Sequence, residues 1–150
     1  MNILFVCTGN TCRSPMAEGI LRDLAEKNNI KVEVKSAGIS AFEGDRASYN
    51  SVEAMKKIGI DISNHSSTQV NEKLVEEADL ILTMSKSHRD FLLYRFKFAE
   101  GKVFTLLEYV SATNKDIMDP FGQSLSVYEM TRDEIYGAIE KLLQKLTMDN

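Results

Sequence analysis

Cys7 and Arg13 bracket five residues, Thr8, Gly9, Asn10, Thr11 and Cys12, and that spacing suits one kind of chemistry. A short polar loop containing glycine can turn its backbone N–H groups inward and cradle an anion. A helix starting at the end of the loop adds free N–H groups and a partial positive charge. The guanidinium of Arg13 is a rigid fork that matches two phosphate oxygens. A cysteine placed in such a field is favoured as the thiolate, its nucleophilic form. The set reads as a nucleophile inside a phosphate site. A cysteine at the end of a strand is otherwise often just a small buried apolar residue. What separates the two readings is the whole run of residues 7–15 in a strand–loop–helix setting.

That setting is legible along the chain. Residues 2–7 are apolar with β-branched members, which predicts a buried strand. Ser14 and Pro15 predict a helix start, with Ser14 as cap, Pro15 at the first position and Glu18 in the first turn. Met16, Ala17, Ile20, Leu21, Leu24 and Ala25 form its apolar face, and Asn28-Asn29 end it. A second strand is expected over residues 31–35, closed by Ser36-Ala37-Gly38. Residues 39–47 read as an exposed loop. A helix follows over 48–57, with Val52, Met55 and Ile58 as its stripe and Gly59 as its stop. Residues 63–69 read as loop, 70–78 as a short acidic helix and 80–82 as a third strand. Ser85 caps a helix carrying Phe91, Leu92 and Arg95. Residues 103–105 form a fourth strand, followed by a loop. Asp119-Pro120-Phe121-Gly122 is a turn signal. A last helix over 124–146 turns Tyr128, Ile135, Ile139, Leu142 and Leu146 inward.

Strands alternating with helices imply an α/β fold: a four-stranded parallel sheet with helices on both faces, in three layers. The chain's 150 residues fit a single domain, 1–150, against a usual span of about 100–200 residues. Such sheets take ligands beyond the carboxyl ends of their strands, near the topological switch point. The end of the first strand is therefore the place to look.

Composition removes several functions. The net charge of −4 gives no basic excess to hold nucleic acid. Two cysteines cannot build a secreted disulfide framework. With His65 and His88 remote in the chain they offer no metal-ligand spacing, so neither metal nor cofactor is expected. No stretch approaches the ~20 apolar residues of a membrane span. The apolar residues 3–6 are too few for a signal peptide and follow no basic leader. A cytoplasmic protein is expected.

The sequence resembles the low-molecular-weight protein phosphatase family. The likeness runs nearly end to end, through Val6-Cys7-Thr8-Gly9-Asn10-Thr11-Cys12-Arg13-Ser14-Pro15, Ser36-Ala37-Gly38, Ala78-Asp79-Leu80-Ile81-Leu82 and Asp119-Pro120. It implies that Cys7 takes the phosphoryl group as a phosphocysteine. Thr8, Gly9, Asn10, Thr11, Cys12, Arg13 and Ser14 would bind the phosphate, with Arg13 and the loop N–H groups on its equatorial oxygens. Asp119 would act as general acid, then as the base that activates water. Arg13 and backbone dipoles would supply the charge stabilisation. Ser14 would donate to the Cys7 thiolate, and Asn10, Ser36 and His65 would lock the loop, Asn10 with an unusual backbone angle. His88 reads as a surface helix residue. Cys12, on the same tight loop, is expected to trap an oxidised Cys7 as a reversible disulfide.

Thr11 stands where most tyrosine-specific members have Ile or Leu, and the acid loop lacks tandem tyrosines. That combination looks like the branch acting on phosphoarginine in proteins. A guanidinium is planar but studded with donors, which Thr11 and Asp119 can accept. Phe42 and Phe121 are candidate walls for the planar group. The expected partners are phosphorylated proteins, met by a monomer. A tyrosine phosphatase is the alternative. Arsenate reductase chemistry needs further cysteines, which this chain lacks.

Overall fold

A computed structural model of the chain describes residues 1–148. Its strands are β1 Asn2–Cys7, β2 Glu33–Gly38, β3 Leu80–Thr83 and β4 Val103–Thr105. Its α-helices are α1 Arg13–Lys27, α2 Tyr49–Lys56, α3 Glu72–Glu77, α4 Lys86–Arg95, α5 Leu106–Ser111 and α6 Leu125–Met148. The strands form one parallel sheet in the order β2-β1-β3-β4. The chain leaves β1 toward β2 on one side, and β3 lies on the other. The switch point of the sheet is therefore at the carboxyl end of β1, where Cys7 sits.

β1 shows how the sheet feeds both layers. Ile3, Phe5 and Cys7 point into a core shared with Met16 and Ile20 of α1, Leu106 of α5, and Ile135 and Ile139 of α6. Leu4 and Val6 point the other way, against Val75 of α3 and Leu92 of α4. Two-sided burial is why the strand reads as an unbroken apolar run rather than an alternation. No helix is long and apolar enough to cross a membrane among the described residues.

Four expectations shift. Helix α1 starts at Arg13 with Cys12 in the cap position and no side-chain cap bond, so Ser14 is not its cap. The Ser14 hydroxyl is engaged elsewhere, as described below. Pro15 is then the third helical residue, where its missing N–H still costs nothing. Glu18 lies beyond the first turn and accepts instead from Ser36 and Arg22. β2 begins at Glu33 and runs on through Ser36-Ala37-Gly38, because it pairs with β1 along its whole length up to Cys7 opposite Gly38. The expected loop after β4 starts as helix α5, opened by a capping box between Thr105 and Glu108. Ile58 falls past the end of α2 and is partly exposed rather than part of its stripe.

Candidate active site

The loop between β1 and α1 gathers the residues singled out for chemistry. Among the described residues, the backbone N–H groups of residues 8–12 have no acceptor within the protein. An array of N–H groups left unspent beside a cationic side chain is suited to hold an anion. Cys7 leads into the array and is 3% exposed. Its Sγ lies 2.8 Å from Ser14 Oγ. Asn10 Nδ2 donates to that same Ser14 oxygen at 2.8 Å. The Ser14 proton is thereby left for the sulfur.

Asn10 is the hinge pin of the loop. Its φ of 57° is left-handed, a conformation Asn tolerates better than most residues. Its side chain is completely buried and fully used. Nδ2 also donates to Ser36 Oγ at 2.9 Å, and Oδ1 accepts from the Thr68 N–H at 2.9 Å. The Asn10 carbonyl lies 2.7 Å from His65 Nε2. A carbonyl can only accept, so His65 donates from Nε2. Its Nδ1 faces Glu18 Oε1 at 3.9 Å, and Glu18 in turn accepts from Ser36 and from Arg22. The structure thus brings Asn10, Ser14, Ser36 and His65 into one connected set.

Gly38 lets this set assemble. A Cβ there would stand 2.5 Å from the Thr8 carbonyl oxygen and 3.0 Å from the Asn10 nitrogen. Only a glycine allows β2 to run that close behind the loop.

Arg13 is 5% exposed and its reach is fixed from the far end of the chain. Nη1 donates to the Ile117 carbonyl at 2.9 Å, and Nη2 lies 3.6 Å from Asp119 Oδ2. Asp119 is half exposed, and its other oxygen accepts from the Phe121 N–H at 3.1 Å. Gly122, at φ 75°, supplies the positive angle that closes the 120–123 turn. Asp119 therefore stands over the guanidinium on a short, self-bonded turn.

Thr11 is half buried; its carbonyl accepts from the Ser48 N–H at 2.8 Å, tying the loop to the start of α2. Phe42 and Phe121 are 78% and 73% exposed, so neither ring is a core residue. Cys12 is buried, with its Sγ 3.4 Å from both Ser48 Oγ and Tyr128 Oη. Both cysteines are free thiols. Burial, and then the hydrogen bond with Cys12, push the Tyr128 phenol up to about 12, so it stays protonated.

Two neighbours of the loop escape the sequence reading. Tyr128 reads only as an inward-facing helix residue, and nothing local links it to Cys12. His88, expected on the surface, is 3% exposed. Its Nε2 is 2.8 Å from Thr8 Oγ1 and its Nδ1 is 2.9 Å from Ser85 Oγ. Burial, then the charge of Arg13, lower its pKa to about 4, with Asp116 and Asp119 opposing. The order of the strands, and no local sequence signal, gives this placement. β3 lies beside β1, so the first turn of the helix after β3 faces the loop after β1, and His88 sits in that turn.

The family model for low molecular weight phosphotyrosine protein phosphatases matches residues 2–150. The chain belongs to this phosphatase family. A Bacillus subtilis relative named protein-arginine-phosphatase is 43% identical over 149 residues, covering 99% of each chain. A Staphylococcus epidermidis relative named low molecular weight protein-tyrosine-phosphatase PtpB is 42% identical over 142 residues, covering 95% of this chain and 96% of its own. A solved structure of the YwlE arginine phosphatase, with a phosphorylated serine replacing the active-site cysteine, superposes at a TM-score of 0.97. It is 41% identical and covers 100% of this chain and 98% of its own. The active-site position of that relative therefore takes up a phosphoryl group.

Proposed function

We propose that the protein removes phosphate from phosphoarginine residues of proteins through a phosphocysteine on Cys7. The observation that carries it is the run of unspent N–H groups from residue 8 to residue 12, bounded by the Cys7 thiol and the Arg13 guanidinium. The Cys7 sulfur attacks phosphorus while the loop N–H groups and Arg13 hold the equatorial oxygens. Asp119 protonates the departing nitrogen, then takes a proton from the water that hydrolyses the thiophosphate. Ser14 donates to Cys7 when the sulfur is the leaving group.

The arginine preference is supported by Thr11 at the rim of the loop, where a hydroxyl can accept from a guanidinium, and by the name of the Bacillus subtilis relative. Phe42 and Phe121, exposed near the acid turn and the 39–47 loop, serve as walls for the planar group. A site that hydrogen-bonds its substrate can reject an isostere lacking those donors by ~10⁴ or more. The Staphylococcus epidermidis relative supports a second reading, phosphotyrosine, at almost the same identity. The enzyme is taken to act as a monomer in the cytoplasm, where Cys7 and Cys12 stay reduced. Under oxidation the two are taken to pair reversibly.

Turnover on peptides differing only in phosphoarginine or phosphotyrosine tests the assignment. A kcat/KM ratio above about 100 in favour of phosphoarginine is expected, and a ratio below one would transfer the assignment to tyrosine.

A further inference from the structure

Two imidazoles grip the phosphate loop from opposite sides. His65 donates to the Asn10 carbonyl in the middle of the loop. His88 meets the Thr8 hydroxyl at its start. The first grip belongs to the connected set around Asn10; the second has no part in the mechanism described so far.

Thr8 follows the nucleophile directly, and it is exposed. Its carbonyl is held by the Ser40 N–H at 2.9 Å. The Cys7 carbonyl before it is held by the Ile39 N–H at 3.0 Å, so each peptide flanking Thr8 is anchored at one oxygen and the side chain supplies the remaining tether. The tether is His88 Nε2, and it is anchored in turn. His88 Nδ1 meets Ser85 Oγ, and Ser85 caps α4 by accepting from the His88 N–H at 3.3 Å. The Ser85 carbonyl accepts from Thr83 Oγ1 of β3 at 2.8 Å. A continuous chain of hydrogen bonds therefore runs from β3 through Ser85 and His88 to Thr8. Arg13, Asp116 and Asp119 are the charged groups that act on the imidazole. It is uncharged at neutral pH, so one ring nitrogen donates and the other accepts.

We propose that His88 is a positioning residue of the phosphate loop: its bond to the Thr8 hydroxyl joins the Ile39 N–H bond to the Cys7 carbonyl in fixing the peptide after Cys7 in the orientation that receives the phosphoryl oxygens. This rests on the loop being the phosphoryl cradle. His88 touches no reacting atom. It acts through Thr8 and governs oxyanion affinity and the rate of phosphoryl transfer together.

The test compares His88→Asn, His88→Gln, Thr8→Val and the His88→Asn/Thr8→Val pair. The Gln amide reaches the place of Nε2; the Asn amide reaches only that of Nδ1. The readouts are inhibition by inorganic phosphate, kcat and KM on p-nitrophenyl phosphate, and thermal unfolding. Losing one neutral hydrogen bond predicts a rise in phosphate Ki of roughly three- to tenfold for His88→Asn and for Thr8→Val. His88→Gln should recover most of it, and the double variant should be no worse than either single. A folded His88→Asn that binds phosphate as wild type does, a Gln variant no better than Asn, or losses that multiply in the double variant would each overturn the inference. Should His88→Asn fail to fold, Thr8→Val decides alone, since its side chain is on the surface: wild-type phosphate affinity there would overturn it. A wild-type chain that neither hydrolyses p-nitrophenyl phosphate nor binds phosphate would overturn the cradle reading itself.

Discussion

Asp119 Oδ2 lies 3.6 Å from Arg13 Nη2, so the carboxylate proposed as acid and the guanidinium proposed as phosphate anchor face each other across the loop. A phosphoryl group held by the Arg13 guanidinium would then lie close to the Asp119 carboxylate. The Ile117 carbonyl holds the same guanidinium on its other nitrogen. One stretch of chain thus both aims the anchor and carries the acid.

Replacing Asp119 by Asn should hurt in proportion to the basicity of the leaving group. The guanidine expelled from phosphoarginine has a conjugate acid above pKa ~12 and cannot leave unprotonated. A phenol near pKa ~10 needs less help, and an activated aryl group needs least. General acid catalysis is worth ~10²–10⁴-fold. Single-turnover phosphoryl transfer should fall by the upper part of that range with phosphoarginine and by far less with p-nitrophenyl phosphate. Equal losses would show that Asp119 acts through the structure of its turn.

Thr11→Ile should shift preference from phosphoarginine toward phosphotyrosine. The change removes a hydroxyl acceptor and adds apolar surface at the rim. A hydrogen bond to a charged group is worth ~1.5–3 kcal/mol, so the kcat/KM ratio should move by roughly 10–150-fold. An unchanged ratio would mean that Thr11 serves only through its carbonyl on Ser48.

Gly38→Ala should disable the loop from behind. The added Cβ would meet the Thr8 carbonyl oxygen at 2.5 Å, and that atom is backbone. Overpacking of this kind costs about 1–3 kcal/mol. A lower Tm and weakened phosphate inhibition should appear together. Gly9→Ala is the contrast, since a Cβ there finds only Thr11 Oγ1 at 3.7 Å. Its Tm should stay near wild type. Equal melting temperatures for the Gly38→Ala and wild-type chains would contradict the close approach.

Stability should fall as the pH drops from about 6.5 toward about 4, and His88 should carry part of the fall. The folded imidazole titrates at about 4 against an ordinary 6.5. Between those values the unfolded chain binds a proton that the folded chain refuses. Stability therefore rises with pH across that window and is flat in this respect outside it. Urea unfolding of wild type and His88→Gln across the window measures it. The advantage of wild type at pH 7 should shrink as the pH falls, and parallel curves would show that His88 does not titrate there.

The sequence makes some of this plain and hides the rest for physical reasons. The strand, the loop and its Arg are neighbours in the chain, so Cys7, Arg13 and the parallel sheet are readable from spacing and hydrophobic runs. The helix start is misread because the Ser14 hydroxyl, a good cap in isolation, is claimed by Asn10 and Cys7. Only the folded loop creates that competition. Helix α5 is overlooked although Thr105-x-x-Glu108 spells a capping box, because its six residues are too short for a clear period. His88 is misplaced because its partner Thr8 lies 80 positions away, and only the adjacency of β3 to β1 brings them together. Tyr128 joins Cys12 across 116 positions and carries no local signal.

The most direct measurement is the mass of Cys7 in enzyme quenched by denaturant within one turnover of a phosphoarginine peptide. Phosphate should be found on Cys7, in an amount that rises when thiophosphate hydrolysis is slower than its formation, and should be absent from Cys7→Ala, which has no nucleophile at that position. Release of phosphate from the peptide with Cys7 unmodified at every time point, or loading of Cys7 from a phosphotyrosine peptide alone, would contradict the account.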